Sequence, residues 1–326
     1  MRGVVVIYNP AAGQGRAGER LPEVKSLLER HGVSYSLITT EFAGHAVDLA
    51  REAALRDGAD TIVAAGGDGT ANEVLNGLMQ AQGTGASIPA MGVLCVGRGN
   101  DFAFGAGIPT DLADGVRALV DGVAAPIDVG YLRGGRFPDG RYFGNGIGIG
   151  FDTIVGFEAA KMKRVRGFAA YVFGALKALA FYYRAPMLTI TTDDGEESRA
   201  CIQVSVMNGR RMGGAFLMAP YATMADGLLD LCIAGTPSRP AMLGLVARYL
   251  KGTQDGHPQI LTDRTCRFRI ASNGEPIAIH ADGETVSTDA TSLDVECLAA
   301  AISVRRPPLV RDLDSSAEYQ APGASA

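Results

Sequence analysis

A glycine-rich turn between an apolar run and an amphipathic run constrains this chain most. The turn is Gly66-Gly67-Asp68-Gly69-Thr70, after the apolar run 60–65 and before the run 71–78. The first run predicts a buried parallel strand, and the second predicts a helix whose free N–H groups face the glycines. Phosphate is attracted by those donors and by the helix dipole, while glycine lets the backbone come close. The segment therefore predicts a phosphate cradle, although a simple strand-to-helix turn is the alternative that one such motif leaves open.

Two more glycine-containing loops follow predicted strands in the same half of the chain. One spans residues 9–17 after an apolar strand at 4–8, and the other spans 97–103 after a strand near 91–96. In an open parallel sheet the carboxyl ends of the strands share one edge. The three loops are therefore expected to converge on one ligand.

A short acidic turn, Asp282-Gly283-Glu284, lies far along the chain from the glycine-rich turn. Carboxylates on a turn can accept a substrate proton or bind a metal. Asp-Gly also forms ordinary hairpin turns in antiparallel sheets, so this motif alone is weak. Together with the cradle, it indicates transfer of a phosphoryl group from a nucleotide to a hydroxyl.

The order of these motifs resembles the diacylglycerol kinase catalytic family of lipid kinases, particularly its soluble bacterial branch. Sphingosine and ceramide kinases are more distant relatives. GGDGT also occurs in NAD kinases and, in a near form, in phosphofructokinases. The motifs at 100–103, 226–230 and 282–284 distinguish the lipid kinases from those families. The matching residues span nearly the whole chain: Asn9-Pro10 with Gly13, 66–70 with Asn72 and Glu73, Gly97 with 99–103, 226–230 and 282–284.

The resemblance implies an ATP-dependent lipid kinase with ATP and Mg²⁺ as cofactors. Either Glu284 or Asp282 could be the base that accepts the proton of the lipid hydroxyl; the family favours Glu284, with Asp282 as a second participant. Asp68 is the third implied catalytic residue and holds Mg²⁺ through water. The implied nucleotide contacts are Asn9, Pro10, Gly13, Thr40, Gly66, Gly67, Asp68, Gly69, Thr70, Asn72, Gly97, Arg98, Asn100 and Asp101.

The resemblance also implies a structural Mg²⁺ site at Asp226, completed by the carbonyls of Thr223 and Leu228. Mg²⁺ prefers a few oxygen ligands and retained waters, so one carboxylate with two carbonyls is chemically reasonable. An ordinary turn aspartate is the alternative.

One departure from the family pattern lies in the third loop. The family usually has a proline and a hydroxyl residue where this chain has Cys95 and Arg98. The guanidinium of Arg98 could bind phosphate where the family uses a hydroxyl, or it could point to solvent.

The chain is long enough for two domains, and the alternation of strands and helices changes near Pro126. We predict a doubly wound α/β domain of the phosphofructokinase and NAD kinase type, followed by a mainly antiparallel all-β domain that the resemblance identifies as a β-sandwich. The predicted ranges are 1–125 for the nucleotide-binding domain, 126–298 for the lipid domain, 299–310 for a return to the first domain, and 311–326 for a disordered tail.

Composition narrows the partners and the location. A net charge of −5 argues against a dedicated nucleic-acid binder. No uncharged stretch reaches the ~20 residues that span a bilayer. An aromatic-rich segment at 167–183 predicts packing against a sheet. Its basic prefix of Lys161, Lys163, Arg164 and Arg166 is also typical of contact with an anionic membrane surface. We expect a cytoplasmic protein, peripheral at the inner face of the membrane, that meets its lipid substrate there; a homodimer is left open.

Two other functions compete with this interpretation. A kinase for a soluble hydroxyl substrate such as NAD would share the cradle without needing a lipid-facing groove. A non-enzymatic nucleotide-sensing or lipid-binding protein would be expected to lose the acidic turn, yet Asp68, Asp282 and Glu284 are all present.

Overall fold

Helices and strands alternate in the first half of the chain, and strands dominate the second. The computed structural model describes residues 3–56, 58–160 and 168–308. The first half contains β1 (Val4–Tyr8), α1 (Arg16–Arg30), β2 (Tyr35–Thr39), α2 (His45–Leu55), β3 (Thr61–Gly66), α3 (Asp68–Gln82), β4 (Ala90–Cys95), α4 (Asp101–Gly105) and α5 (Leu112–Asp121). The second half contains β5 (Val123–Gly134), β6 (Phe137–Phe143), β7 (Gly146–Gly150), α6 (Phe151–Ala160), α7 (Phe168–Phe181), β8 (Met187–Thr192), β9 (Gly195–Ala200), β10 (Gln203–Met207), β11 (Leu229–Ala234), α8 (Arg239–Lys251), β12 (Ile260–Thr265), β13 (Arg267–Ser272), β14 (Ile277–Ala281), β15 (Glu284–Ala290) and β16 (Ser292–Arg306).

The first half forms a parallel sheet in the order β2-β1-β3-β4, with helices on both faces. The central strand β3 is buried along its whole length. Ile62 and Ala64 pack into one core, whereas Val63 and Ala65 pack into the other. A strand covered on both faces must be continuously apolar, which is why its sequence shows no alternation. The predicted doubly wound domain is confirmed.

The second half is built around an antiparallel sheet in the order β12-β11-β10-β7-β14-β15. Ile147 and Ile149 of this sheet share a core with Phe268 and Ile270 of the other sheet. Two sheets that bury facing side chains in this way form a sandwich. The predicted β-sandwich is therefore confirmed.

The two halves share one sheet through β16. This strand pairs antiparallel with β5 and β13, and at Val304 it pairs parallel with Met91 of β4. Residue 126, where the sequence pattern changes, lies inside β5, and Pro126 pairs with Ser303. The chain therefore passes between the halves within a strand. The predicted tail at 311–326 lies outside the described residues.

Helices α6, α7 and α8 cover the outer face of the six-stranded sheet. Ala178 and Leu179 of α7 are buried in this layer, so the segment packs against the sheet, whereas Phe173 and Phe181 are 53% and 75% exposed. The basic prefix 161–166 lies outside the described residues. Among the described helices, none combines the length and the apolar character needed to cross a membrane.

Candidate active site

The three glycine-containing loops meet at the carboxyl edge of the parallel sheet. Asn9, directly after β1, donates a hydrogen bond from Nδ2 to Oγ1 of Thr70 at 2.9 Å. The N–H groups of Val96 and Gly97, directly after β4, both donate to the carbonyl of Gly66, at 3.0 and 2.9 Å. These hydrogen bonds hold the three loops together at the carboxyl ends of their strands, where the strand-to-loop pattern predicts that they meet.

Two glycines of these loops differ in what surrounds them. A Cβ on Gly97 would lie 2.5 Å from Cα of Gly67, so the third loop can only approach the second because Gly97 has no side chain. A Cβ on Gly69 would meet nothing within 4 Å. Gly69 is therefore open to solvent in the first turn of α3, the turn whose N–H groups have no partner within the helix.

Two neighbouring carboxylates, those of Asp68 and Asp101, follow the glycine-rich turn and the third loop. Oδ1 of Asp68, the first residue of α3, accepts a hydrogen bond from the N–H of Phe102 at 3.1 Å. Burial, together with the negative charge of Asp101, raises the pKa of Asp68 to about 7. Asp101 is itself anchored to the second half of the chain, because Nε of Arg211 donates to its Oδ1 at 2.7 Å.

The carboxylate of Asp282 occupies a nest of four donors. Oδ1 accepts from the N–H groups of Asn145 and Gly146, at 3.0 and 2.9 Å. Oδ2 accepts from the N–H of Gly144 at 2.7 Å and from Nδ2 of Asn72 at 2.8 Å. Burial raises the pKa of Asp282, and the hydrogen bonds oppose that shift. With every oxygen accepting two donors, Asp282 acts as a clamp on the 144–146 backbone.

Asn72 and Asn76 carry this network into the first half. Both lie on α3, and both donate from Nδ2 to the carbonyl of Tyr142 in β6, at 3.1 and 2.9 Å. Oδ1 of Asn76 accepts the N–H of Tyr142 at 3.1 Å. The helix that begins at the glycine-rich turn is therefore hydrogen-bonded directly to the strand beside the acidic turn.

Glu284, at the start of β15, has a different environment from Asp282. Its Oε2 pairs with a guanidinium nitrogen of Arg141 at 2.8 Å, and its side chain is 38% exposed. Burial raises its pKa, which Arg141 opposes. Among the described residues, no donor reaches Oε1. Glu284 therefore has a free and accessible oxygen with raised basicity, which is the property a general base needs.

Comparisons with known proteins agree with this arrangement. Residues 3–132 match the model of the diacylglycerol kinase catalytic domain, and residues 145–306 match that of the YegS C-terminal NAD kinase beta sandwich-like domain. A diacylglycerol kinase of Bacillus subtilis is 32% identical over 291 residues, which are 87% of this chain and 90% of that protein. The chain belongs to the diacylglycerol kinase family. It is a lipid kinase.

Other relatives extend the same family. A Xanthomonas campestris protein named "probable lipid kinase YegS-like" is 30% identical over 307 residues, which cover 90% of this chain and 94% of that protein. The crystal structure of a Bacillus anthracis diacylglycerol kinase superimposes with a TM-score of 0.71 at 22% identity, covering 94% of this chain and 97% of the other. That likeness shows the shared fold.

The remaining residues predicted to contact nucleotide lie along the same edge. The turn between β1 and α1 contains Pro10 and Gly13, and Gly13 has a positive φ of 62°. Thr40 follows β2 and donates its N–H to the carbonyl of Tyr8 at 2.8 Å. Asn100 has a left-handed φ of 56°, and its enclosed Oδ1 accepts no hydrogen bond from the described residues.

Arg98, at the position where the family has a hydroxyl, links two of the loops. Its guanidinium donates to Oε1 of Gln14 in the first loop at 3.0 Å, and the side chain is exposed at the open edge of the cradle. This position brings a positive charge to the rim of the predicted phosphate site.

Asp226, the carboxylate of the predicted structural metal site, lies beside a cationic side chain. Oδ2 of Asp226 pairs with the guanidinium of Arg264 at 2.9 Å, and Oδ1 accepts the N–H of Leu228 at 3.1 Å. Each carboxylate oxygen has two lone pairs, so one donor on each oxygen leaves room for a further ligand. Mg²⁺ binding by Asp226 with the carbonyls of Thr223 and Leu228 stays a prediction.

Sequence reasoning missed the residues that join the two halves. Arg141, Arg211 and Asn76 each make side-chain contacts with a partner far away in sequence. Periodicity gives no signal for such contacts, because each partner is chosen by the tertiary fold.

Glu73 matches the family pattern, but the resemblance assigns it no role. In the structure its carboxylate accepts hydrogen bonds from the N–H groups of Gly44 and Ala46 and so caps α2.

Proposed function

We propose that this lipid kinase transfers the γ-phosphate of ATP to the hydroxyl of a diacylglycerol-like lipid, in the cleft between the glycine loops and the acidic turn. The names of the relatives support diacylglycerol as the acceptor. The observation that carries the proposal is the hydrogen bond between Asn72 and Asp282 at 2.8 Å. It supports a single site in which a nucleotide and an acceptor hydroxyl meet.

The residues fit a nucleotide phosphate chain held with Mg²⁺. The open space at Gly69 and the N-terminus of α3 would receive the phosphates, with Asn9 and Arg98 at the rim. Among the described residues, no three His, Cys, Asp or Glu side chains are grouped to hold a metal by themselves. Asp68 would hold Mg²⁺, since burial and then the charges of Asp101 and Asp282 raise its pKa, and a cation would favour its charged form. When bound, the ion neutralises charge that develops on the transferred phosphoryl group.

Glu284 would accept the proton of the lipid hydroxyl through its free Oε1. Asp282 would keep the turn in place, since its lone pairs are occupied by four donors. Positioning and charge neutralisation supply most of the acceleration in phosphoryl transfer, and a general base typically adds ~10²–10⁴-fold.

The acceptor lipid would reach the site from a membrane surface. On α7 and directly after it, Phe173, Phe181 and Tyr182 are exposed by 53%, 75% and 43%. Aromatic side chains of this kind are favoured at the interface between lipid and water. We therefore propose that α7, on the outer face of the six-stranded sheet, contacts the inner face of the membrane.

Transfer of label from γ-labelled ATP tests the function. The purified chain is incubated with Mg²⁺ and mixed micelles that contain diacylglycerol, with NAD as the soluble acceptor in a parallel reaction. We expect labelled phospholipid and no labelled NADP, and Glu284→Gln should remove the product. Label in NADP alone would refute lipid phosphorylation.

A further inference from the structure

The loop between β2 and α2, residues 40–44, lies on the same edge of the parallel sheet as the three glycine-containing loops. The N–H of Thr40 donates to the carbonyl of Tyr8, the last residue of β1, at 2.8 Å. Asn9, the next residue, donates to Thr70 of the glycine-rich turn at 2.9 Å. Only β1 separates the strand that leads into this loop from the strand that leads into the phosphate cradle.

A second contact fixes the loop against α3. The two carboxylate oxygens of Glu73 accept the N–H groups of Gly44 and Ala46, at 2.9 and 3.2 Å. Glu73 lies about one helical turn after Thr70. The loop is therefore hydrogen-bonded at both ends, by Thr40 to β1 and by Gly44 to α3, so the fold sets its position beside the cradle.

Phe42, in the middle of this loop, has a side chain that is 62% exposed and held in a stack. Its ring lies parallel to the imidazole of His45, with ring centroids 4.5 Å apart and an angle of 5° between the planes. The imidazole is itself oriented, because its Nδ1 accepts the N–H of Glu41 at 3.1 Å. His45 covers one face of the phenyl ring, so the opposite face is open to solvent.

The combination of these contacts distinguishes Phe42 from an ordinary surface residue. A single exposed apolar side chain needs no explanation. Phe42, however, presents a flat aromatic face whose orientation is fixed before any ligand binds, beside the edge where the phosphates of a nucleotide are expected. A group that is already ordered loses less conformational entropy when it binds.

We propose that the open face of Phe42 is the surface on which the purine base of the nucleotide stacks. This inference deepens the proposed function and rests on it, because it takes the triphosphate to lie at the glycine-rich turn. Every nucleotide base has a flat π face that can stack on an aromatic side chain. A purine has two fused rings and so the larger face. A purine triphosphate should therefore bind more tightly than a pyrimidine triphosphate.

The acyl chain of the acceptor lipid is the other flat or apolar group that the site would receive. The position of the loop favours the base, since its hydrogen bonds run to β1 and α3, the elements that carry the phosphate contacts. The two occupants also differ chemically. An acyl chain is bound by apolar area, which leucine supplies as well as phenylalanine, whereas a base requires the aromatic face that leucine lacks.

The first experiment uses the absence of tryptophan from this chain. Phe42→Trp introduces a single tryptophan that keeps a stacking face. We expect ATP with Mg²⁺ to quench its fluorescence, and inorganic tripolyphosphate with Mg²⁺, which has the phosphates without a base, to leave it unchanged. Phe181→Trp is the matched control, because it places the indole on α7, at a position that is 75% exposed on the outer face of the six-stranded sheet. Its fluorescence should respond to neither.

Calorimetric titration measures the same contact without a fluorophore. Phe42→Ala and Phe42→Leu should each weaken ATP binding by about fivefold or more, as is typical when an aromatic side chain that stacks on a base is removed. Their affinity for tripolyphosphate should equal that of the parent. Phe42→Tyr should bind ATP like the parent, and the parent should bind ATP more tightly than CTP. Since Phe42 is exposed, every variant should unfold at the same urea concentration as the parent.

The outcomes separate this inference from the function on which it rests. If the parent binds ATP and both Phe42→Ala and Phe42→Leu bind it equally well, the inference is overturned while the proposed function stands. An equal loss for ATP and tripolyphosphate, or full ATP affinity in Phe42→Leu, would also overturn stacking. Quenching of Phe42→Trp by dioctanoylglycerol and not by ATP would assign the ring to the acceptor instead. If the parent binds no nucleoside triphosphate, the proposed function fails together with the inference.

Discussion

Replacing Asp282 by asparagine should destabilise the fold, whereas replacing Glu284 by glutamine should remove activity from a stable protein. The two acids are two residues apart, yet their surroundings differ. Asp282 accepts four hydrogen bonds, two on each oxygen. Asparagine has only one oxygen, so in Asp282→Asn two N–H donors would face an NH₂ group that cannot accept.

The magnitude follows from the lost bonds. A hydrogen bond to a charged group contributes about 1.5–3 kcal/mol, so two of them contribute about 3–6 kcal/mol. Burial raises the pKa of Asp282, which means that desolvation of its charge offsets part of that gain. We therefore expect a loss near the lower end, about 3 kcal/mol, from a typical stability of about 5–15 kcal/mol.

The Glu284 variant is the matched comparison. Its ion pair with Arg141 is partly exposed, and such pairs contribute less than about 1 kcal/mol. Glu284→Gln should therefore unfold close to the parent while turnover falls by about 10²-fold or more, with ATP binding unchanged.

Urea unfolding followed by circular dichroism, together with lipid phosphorylation at saturating ATP, measures both effects. If Asp282→Asn unfolds at the same urea concentration as the parent, the four donors do not clamp the turn. If that variant is also inactive while Glu284→Gln remains active, the two roles must be exchanged. Full activity in both variants would mean that the acidic turn takes no part in the chemistry.

Three further predictions address the cradle. Gly97→Ala should disrupt both the fold and ATP binding, because its Cβ would lie 2.5 Å from Cα of Gly67. Gly69→Ala should fold normally and weaken ATP binding. Calorimetric titration with Mg²⁺ and ATP measures both affinities, and an unchanged affinity in Gly69→Ala would remove this turn from the phosphate site. Arg98→Ala should raise KM for ATP more than Gln14→Ala, which breaks only their mutual bond, and equal effects would limit Arg98 to a loop contact. Since burial raises the pKa of Asp68 to about 7, the fold favours its protonated form, and the free energy of unfolding should fall as the pH rises from about 3.8 through 7. Urea unfolding at pH 5 and pH 8 measures this fall, which should be smaller in Asp68→Asn. An identical fall in parent and variant would contradict the raised pKa.

The local sequence was sufficient to predict the strands and helices of the first half and the sheet edge at which its three glycine-containing loops meet. The apolar run of β3 and the glycines that follow predict a strand, a turn and a helix, because burial on both faces and close backbone approach depend on neighbouring residue types. The strand-to-loop pattern repeats at 9–17 and 97–103. The motif order then predicts the family, and with it the sandwich and the carboxylates.

Only the tertiary structure distinguishes the surroundings of the carboxylates. Asp282 and Glu284 are equivalent by composition, yet one accepts four donors from residues 72 and 144–146 while the other keeps a free oxygen beside Arg141. The ion pair of Asp226 with Arg264 likewise has no signal in the local sequence. Burial, charge and hydrogen-bond partners come from chain segments that are distant in sequence, so the local pattern identifies the acids while only the fold determines their roles.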